Sequence, residues 1–134
     1  MVTNEVKVPI RSEGDIVRAR QKGRELGAEV GHSSLDATMI ATAISELARN
    51  ILVHADQGDI TIQILNNQDL VVIASDRGPG IPEVELAIQS GYSTVGGLGL
   101  GLFGVRQLMD EVDIATEVGR GTTITARKIR RPGR

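Results

Sequence analysis

The chain has 134 residues, 40% of them hydrophobic and 24% charged, which suits one domain with a buried core. With no cysteine, disulfides, thiol catalysis and thiolate metal sites are excluded. A formal net charge of −2 with one Phe and one Tyr argues against nucleic acid as the main partner, because phosphate neutralisation and base stacking both lack their residues. No signal peptide and no apolar run long enough to span a bilayer stands out, so the expectation is a cytoplasmic protein with neither nucleic acid nor a membrane as partner.

In chain order, Glu5 to Ile10 alternates as a short strand. Ser12, with Asp15 three residues on, offers a helix cap, and Ile16, Ala19, Gly23, Leu26 and Val30 recur at helical spacing. Gly31-His32-Ser33 breaks that helix, leaving His32 solvated, and Ser33 with Asp36 caps a second one running to about His54. Gly58 starts a strand with Ile60, Ile62 and Ile64 on one face; Asn66 to Asp69 is turn chemistry. Leu70 to Ala74 is an apolar run suited to an inner strand. A short helix from Pro82 to Gln89, an aperiodic segment from Ser90 to Gly97 and a helix from Gly99 to Asp110 follow. Val112 to Val118 and Thr122 to Ile129 form a closing hairpin around Gly119-Arg120-Gly121. No repeat or linker divides the chain, so residues 1–134 read as a single α+β domain.

Three places carry chemistry. On the second helix, Ile40, Ile44, Leu47 and Ile51 make the apolar stripe, and Glu46 and Asn50 lie roughly 40° apart on its flank. Asn50 offers a neutral oxygen suited to Mg²⁺, which keeps most of its waters and takes few protein ligands beside nucleotide phosphates. Glu46, one turn earlier, can accept a proton from an attacking hydroxyl. Asp76-Arg77-Gly78-Pro79-Gly80 ends the apolar strand: the acid can accept a hydrogen bond from an exocyclic amine such as that of adenine, and the glycines permit close backbone approach. Gly96-Gly97-Leu98-Gly99-Leu100-Gly101-Leu102 opens a helix with several free N–H groups at the positive end of its dipole, a phosphate site. No Gly-Lys-Ser/Thr follows, so it is not a Walker loop.

Glu-x-x-x-Asn on a helix, then Asp-x-Gly-x-Gly, a glycine-rich loop and Gly121-Thr122-Thr123, in that order, resemble the GHKL superfamily of ATPases and kinases. Within it, Asp15-Ile16-Val17 with Ala19-Arg20-Gln21, the run Ile44 to Asn50, and the glycine run leading to Leu108-Met109-Asp110-Glu111 look like the anti-sigma-factor-type serine/threonine kinases. The closest likeness is to the RsbT-type switch kinases of the bacterial stressosome. Anti-sigma kinases carry an arginine just before the glycine loop, where this chain has Gly97 and Leu98.

The resemblance implies a Bergerat fold: a mixed, mainly antiparallel sheet with helices on one face and an ATP lid over Ser90 to Leu98. It also implies ATP and Mg²⁺, with Glu46 as catalytic base, Asn50 on the metal and Asp76 on the adenine amine. Gly80 would lie beneath the ring, with Gly78 also at the cofactor, and Thr123 or its neighbour Thr122 would complete the pocket through water. Gly97, Gly99, Gly101 and Leu102 would serve the phosphates, with Arg49 or Arg106 as the candidate cation. The implied activity is phosphorylation of STAS-domain scaffold proteins of the stressosome, followed by activation of a downstream PP2C-type phosphatase. The alternative is an anti-sigma factor that sequesters a sigma subunit and phosphorylates its STAS antagonist. Three features are expected to be structural: His54 as a partner of its helix's C-terminal dipole, Met39 and Met109 in the core, and the Arg127, Lys128, Arg130, Arg131 and Arg134 tail as a solvated strand edge. Arg18, Arg20, Lys22 and Arg24 form either a docking face or a solvated helix face.

Overall fold

The computed structural model describes residues 1–78 and 98–131, with the backbone alone for 98–101. Strand β1 (Val2–Ile10) leads through helices α1 (Glu13–Glu29) and α2 (Ser34–Ala55) to strands β2 (Gly58–Leu65) and β3 (Asp69–Asp76). Helix α3 (Leu98–Leu108) then precedes the hairpin β4 (Glu111–Glu117) and β5 (Gly121–Lys128). The five strands form one sheet in the order β1-β2-β3-β5-β4, and each of its four pairings is antiparallel, so no parallel pair occurs among the described residues. The expected Pro82 to Gln89 helix and the Ser90 to Leu98 lid lie outside the described residues apart from Leu98, where α3 begins.

Register explains the core. Val8, Ile60, Ala74, Ile124 and Ile114 sit side by side across the sheet, as do Val6, Ile62, Val72, Ala126 and Val112. Strand side chains alternate faces, so these rows make one apolar face, which the helices cover. A slip of one residue would turn every row to solvent, which is why the register is firmly specified. The same face runs into polar rows at its two ends. One is Gly58–Asp76–Thr122–Thr116, and the other holds Ile64, Leu70 and Lys128.

The helices are set by local chemistry and close packing. Ser33 caps α2 as expected, its Oγ accepting the Asp36 N–H at 3.0 Å. At α1 the cap differs from the expected one: Ser12 makes no side-chain cap bond, and Asp15 Oδ2 accepts the N–H of Arg11, the residue before the cap, at 2.9 Å. The α1–α2 contact depends on Gly23, where a Cβ would lie 2.1 Å from Ile44 Cδ1. Ile40, Ile44, Leu47 and Ile51 are buried on the sheet side of α2, as their spacing predicts.

Candidate functional site

The polar row at one end of the helix-facing side is built by two close approaches. At Gly121 φ is +114°, and a Cβ there would lie 2.2 Å from the Asp76 carbonyl oxygen, so only glycine lets β5 close on β3 at this point. At Gly78 a Cβ would lie 2.7 Å from Ala55 Cβ, which seats the turn after β3 against the last turn of α2. Asp76, half-buried, accepts the Gly78 N–H on Oδ1 at 2.8 Å. Its Oδ2 has no hydrogen-bond partner among the described residues. Opposite it Thr122 is buried, its hydroxyl 2.9 Å from that of Thr116. A cleft of about 290 Å³ opens here, lined in part by Asp76, Thr116, Arg120, Thr122 and Thr123.

Thr122 and Thr123 are separated by the pleat. Thr122 pairs with Asp76 in the helix-facing row, whereas Thr123 pairs with Ser75 on the other face. Of the two expected threonines, Thr122 is therefore the one on the side of the carboxylate. Thr116, which the sequence reading missed, joins the row because the hairpin register places it opposite Thr122.

The second polar group lies on α2. Met39 Sδ receives a contact from Lys128 Nζ at 3.4 Å, and the same ammonium donates to the Leu108 carbonyl, at the C-terminal end of α3, at 2.6 Å. Met39 thus marks the side of α2 that faces α3. At about 100° per residue, Ala43, Glu46 and Asn50 fall within roughly 40° of Met39's direction, on that same side. Met39 to Asn50 and Leu98 to Leu108 each rise about 15–17 Å. α3 packs on α2, with its C-terminal end near Met39. Gly99 and Gly101 belong to that first turn, where N–H groups have no partner inside the helix. Glu46 and Asn50 are half-buried, with no side-chain hydrogen bond or ion pair among the described residues.

The remaining expected residues are dispersed. Leu102 is 1% exposed, its side chain committed to the core. Gly80 and Gly97 lie outside the described residues, and Arg49 and Arg106 are both exposed. A larger cleft of about 540 Å³ opens on the β1–β2 side of Asp76, among Lys7, Arg11, Asp59, Ser75 and Arg77. Its charged walls, with Lys7 and Asp59 3.9 Å apart, lack the apolar surfaces that hold a purine ring.

Three structural expectations change. His32 is not solvated: it is 7% exposed, with Nε2 2.8 Å from the Gln68 carbonyl oxygen, because the β2–β3 turn covers the α1–α2 break. The described part of the basic tail, Arg127 to Arg131, is not a solvated edge, since β5 lies inside the sheet; Arg134 lies outside the described residues. Arg127 pairs with Asp69, Arg131 with Asp110, and Lys128 is buried. Met109 is buried as expected but just beyond α3, while Met39 is only half-buried.

His54 does sit in the last turn of α2, yet its charge is disfavoured. Burial holds its pKa below the ordinary 6.5, although the negative charge of Asp76 pulls the other way. A depressed histidine pKa means that the unfolded chain binds the proton first. Stability is therefore full above pH 6.5 and falls as the pH drops toward the folded-state value. Urea melts from pH 7.5 to 5 are expected to show this decline, and His54→Gln is expected to flatten it; an equal slope in the variant assigns the decline elsewhere. A separate loss is expected below pH 3.8, where Asp69 and Asp110 protonate. Burial of Asp69 raises its pKa but is outweighed by Arg127 and the Arg130 N–H, and Arg131 chiefly lowers that of Asp110.

The elements are an acceptor carboxylate and hydroxyls at a sheet end, a carboxylate–amide pair on a helix flank, and a glycine-bearing helix start. Residues 35–132 match the family model for histidine kinase-, DNA gyrase B- and HSP90-like ATPases, and the chain belongs to that family. It is 48% identical over 124 residues to the serine/threonine-protein kinase RsbT of Bacillus subtilis (strain 168), covering 90% of this chain and 93% of that one. Within the family it is an ATP-dependent serine/threonine protein kinase. It is also 30% identical over 109 residues to the anti-sigma F factor of Geobacillus stearothermophilus, covering 75% of each. In fold it resembles the crystal structure of the RsbU and RsbW domains of Rv1364c from Mycobacterium tuberculosis, with a TM-score of 0.68 at 22% identity over 98% of this chain and 34% of that one. Among the described residues, no helix is long and apolar enough to cross a membrane.

Proposed function

We propose that the chain is an RsbT-type switch kinase of the cytoplasm that phosphorylates a serine or threonine of STAS-domain stressosome proteins and, once released, activates a PP2C-type phosphatase. The observation that supports the site reading is the Asp76/Thr122 row at the end of the helix-facing side of the sheet, beside the Glu46/Asn50 pair on α2 and the glycine-bearing first turn of α3. The partner assignment is supported by the 48% identity to RsbT.

In this reading Asp76 Oδ2, without a partner among the described residues, accepts a hydrogen bond from the adenine amine, and Thr122 lies opposite it in the same row. The α3 first turn donates backbone N–H groups to the phosphates, where the helix dipole favours negative charge. Glu46 takes the proton of the attacking hydroxyl as its oxygen bonds to the γ-phosphorus and ADP departs. Phosphoryl transfer needs mainly positioning and charge stabilisation, so this residue set is sufficient. The Asn50 oxygen, which has no hydrogen-bond partner among the described residues, would hold Mg²⁺ beside the phosphates, where the ion would supply charge neutralisation.

The test is transfer of labelled γ-phosphate from ATP/Mg²⁺ to a purified stressosome STAS protein. Label on a serine or threonine of that protein is the expected result. The anti-sigma F factor relative supports a second reading, sequestration of a sigma subunit with phosphorylation of its STAS antagonist. Absence of transfer to the scaffold beside tight sigma binding establishes that reading instead.

A further inference from the structure

We infer that Lys128 is a positioning residue for the phosphate end of the site, acting through the C-terminal end of α3. This rests on the reading of the α3 first turn as the phosphate cradle. Lys128 is 5% exposed, a rare position for an ammonium group, whose burial is costly unless it is paired and hydrogen-bonded. Its Nζ donates to the Leu108 carbonyl at 2.6 Å, lies 3.4 Å from Met39 Sδ and 4.0 Å from Asp36 Oδ1 on α2. The Leu108 carbonyl is one of the last four of α3, which find no acceptor role inside the helix, and a cation there also complements the helix dipole. One side chain thus ties the end of α3 to the start of α2.

The neighbouring residues of β5 hold the same end. The Arg127 carbonyl accepts the Asp110 N–H at 2.9 Å, and the Ile129 N–H donates to Asp110 Oδ2 at 2.7 Å. The strand that makes this clasp also carries Thr122, six residues earlier and facing the same side. A β-strand is stiff along its length, so β5 sets the separation between the nucleoside end of the site and the helix whose first turn meets the phosphates. Leu102 and Val105, both buried, seat the middle of α3. Releasing Leu108 lets α3 tilt about that seat, and the displacement appears at Gly99 and Gly101. A shift of about 1 Å in a reacting group can cost on the order of 100-fold in rate.

The experiment compares wild type, Lys128→Met, and the double variant Asp36→Asn/Lys128→Met, which leaves no unpaired carboxylate beside the removed ammonium. Affinities for ATP and for adenosine are measured by ligand-observed NMR, with a thermal melt as the folding control. Lys128→Met is expected to weaken ATP about tenfold and slow transfer about 100-fold, with adenosine unchanged within about twofold. The double variant is expected to behave alike. Equal losses for ATP and adenosine, or no loss for ATP, would overturn the inference by making Lys128 structural only. Recovery of ATP affinity in the double variant would also overturn it, by assigning the defect to the stranded Asp36 charge. If wild type itself binds ATP no tighter than adenosine, the cradle reading fails, and that failure is visible without any variant.

Discussion

Glu46→Gln is expected to lower phosphoryl transfer about 10²–10⁴-fold while leaving ATP affinity within about threefold, the range a lost general base commands. The substitution keeps the shape of the side chain while removing its basicity and its negative charge. Because Glu46 has no ion pair or side-chain hydrogen bond among the described residues, the change strands no buried partner. Its effect on stability should stay within about 0.5 kcal/mol. Single-turnover transfer with saturating ATP, beside a titration of ATP binding, separates the two quantities. A variant that transfers at the wild-type rate would remove Glu46 from the chemistry. One that loses ATP binding as well would make it a nucleotide ligand rather than a base.

Asp76→Asn is expected to weaken ATP about 100-fold or more with little loss of fold. In the proposed site the two carboxylate oxygens have separate tasks. Oδ1 accepts the Gly78 N–H at 2.8 Å, which an asparagine oxygen does equally well, so the turn against Ala55 survives. Oδ2 becomes an NH₂ group that presents a donor to the donor amine of adenine, and a buried donor facing a donor leaves both unsatisfied. A site built around a hydrogen bond discriminates by several orders of magnitude when that bond is lost. Isothermal titration with ATP, alongside urea unfolding, is the appropriate measurement. Retained ATP affinity would move the adenine contact away from Asp76, and a matching collapse in stability would make Asp76 chiefly a turn former.

These two residues stand out in the sequence because the patterns that mark them are local. Glu46 and Asn50 share a helix flank by their four-residue spacing alone, and the stripe of Ile40, Ile44, Leu47 and Ile51 fixes which side of α2 is buried. Asp76 follows an apolar strand and precedes a glycine turn, which is enough to place an acid at a strand end. The glycines of the α3 first turn are read the same way, from the start of a helix. The period-2 alternation of Ile60, Ile62 and Ile64 likewise places them on one face, and all three are buried.

What local pattern does not encode is which distant segment becomes a neighbour. Nothing in Thr122-Thr123 says which threonine joins Asp76; the pairing of β3 with β5 decides it, by putting Thr122 opposite the acid and Thr123 opposite Ser75. The tail reads as a string of exposed cations until β5 is inserted between β3 and β4, where Arg127 meets Asp69 and Lys128 is closed over by α2 and α3. His32 reads as solvated until the β2–β3 turn, 36 residues on, supplies the Gln68 carbonyl. Sequence by itself determined the described elements and their inward faces, and marked the chemical groups of the proposed site, because side-chain periodicity and turn chemistry act over a few residues. Tertiary structure decided which polar groups are buried and whom they meet, because desolvation and pairing depend on chain segments that sequence distance does not relate.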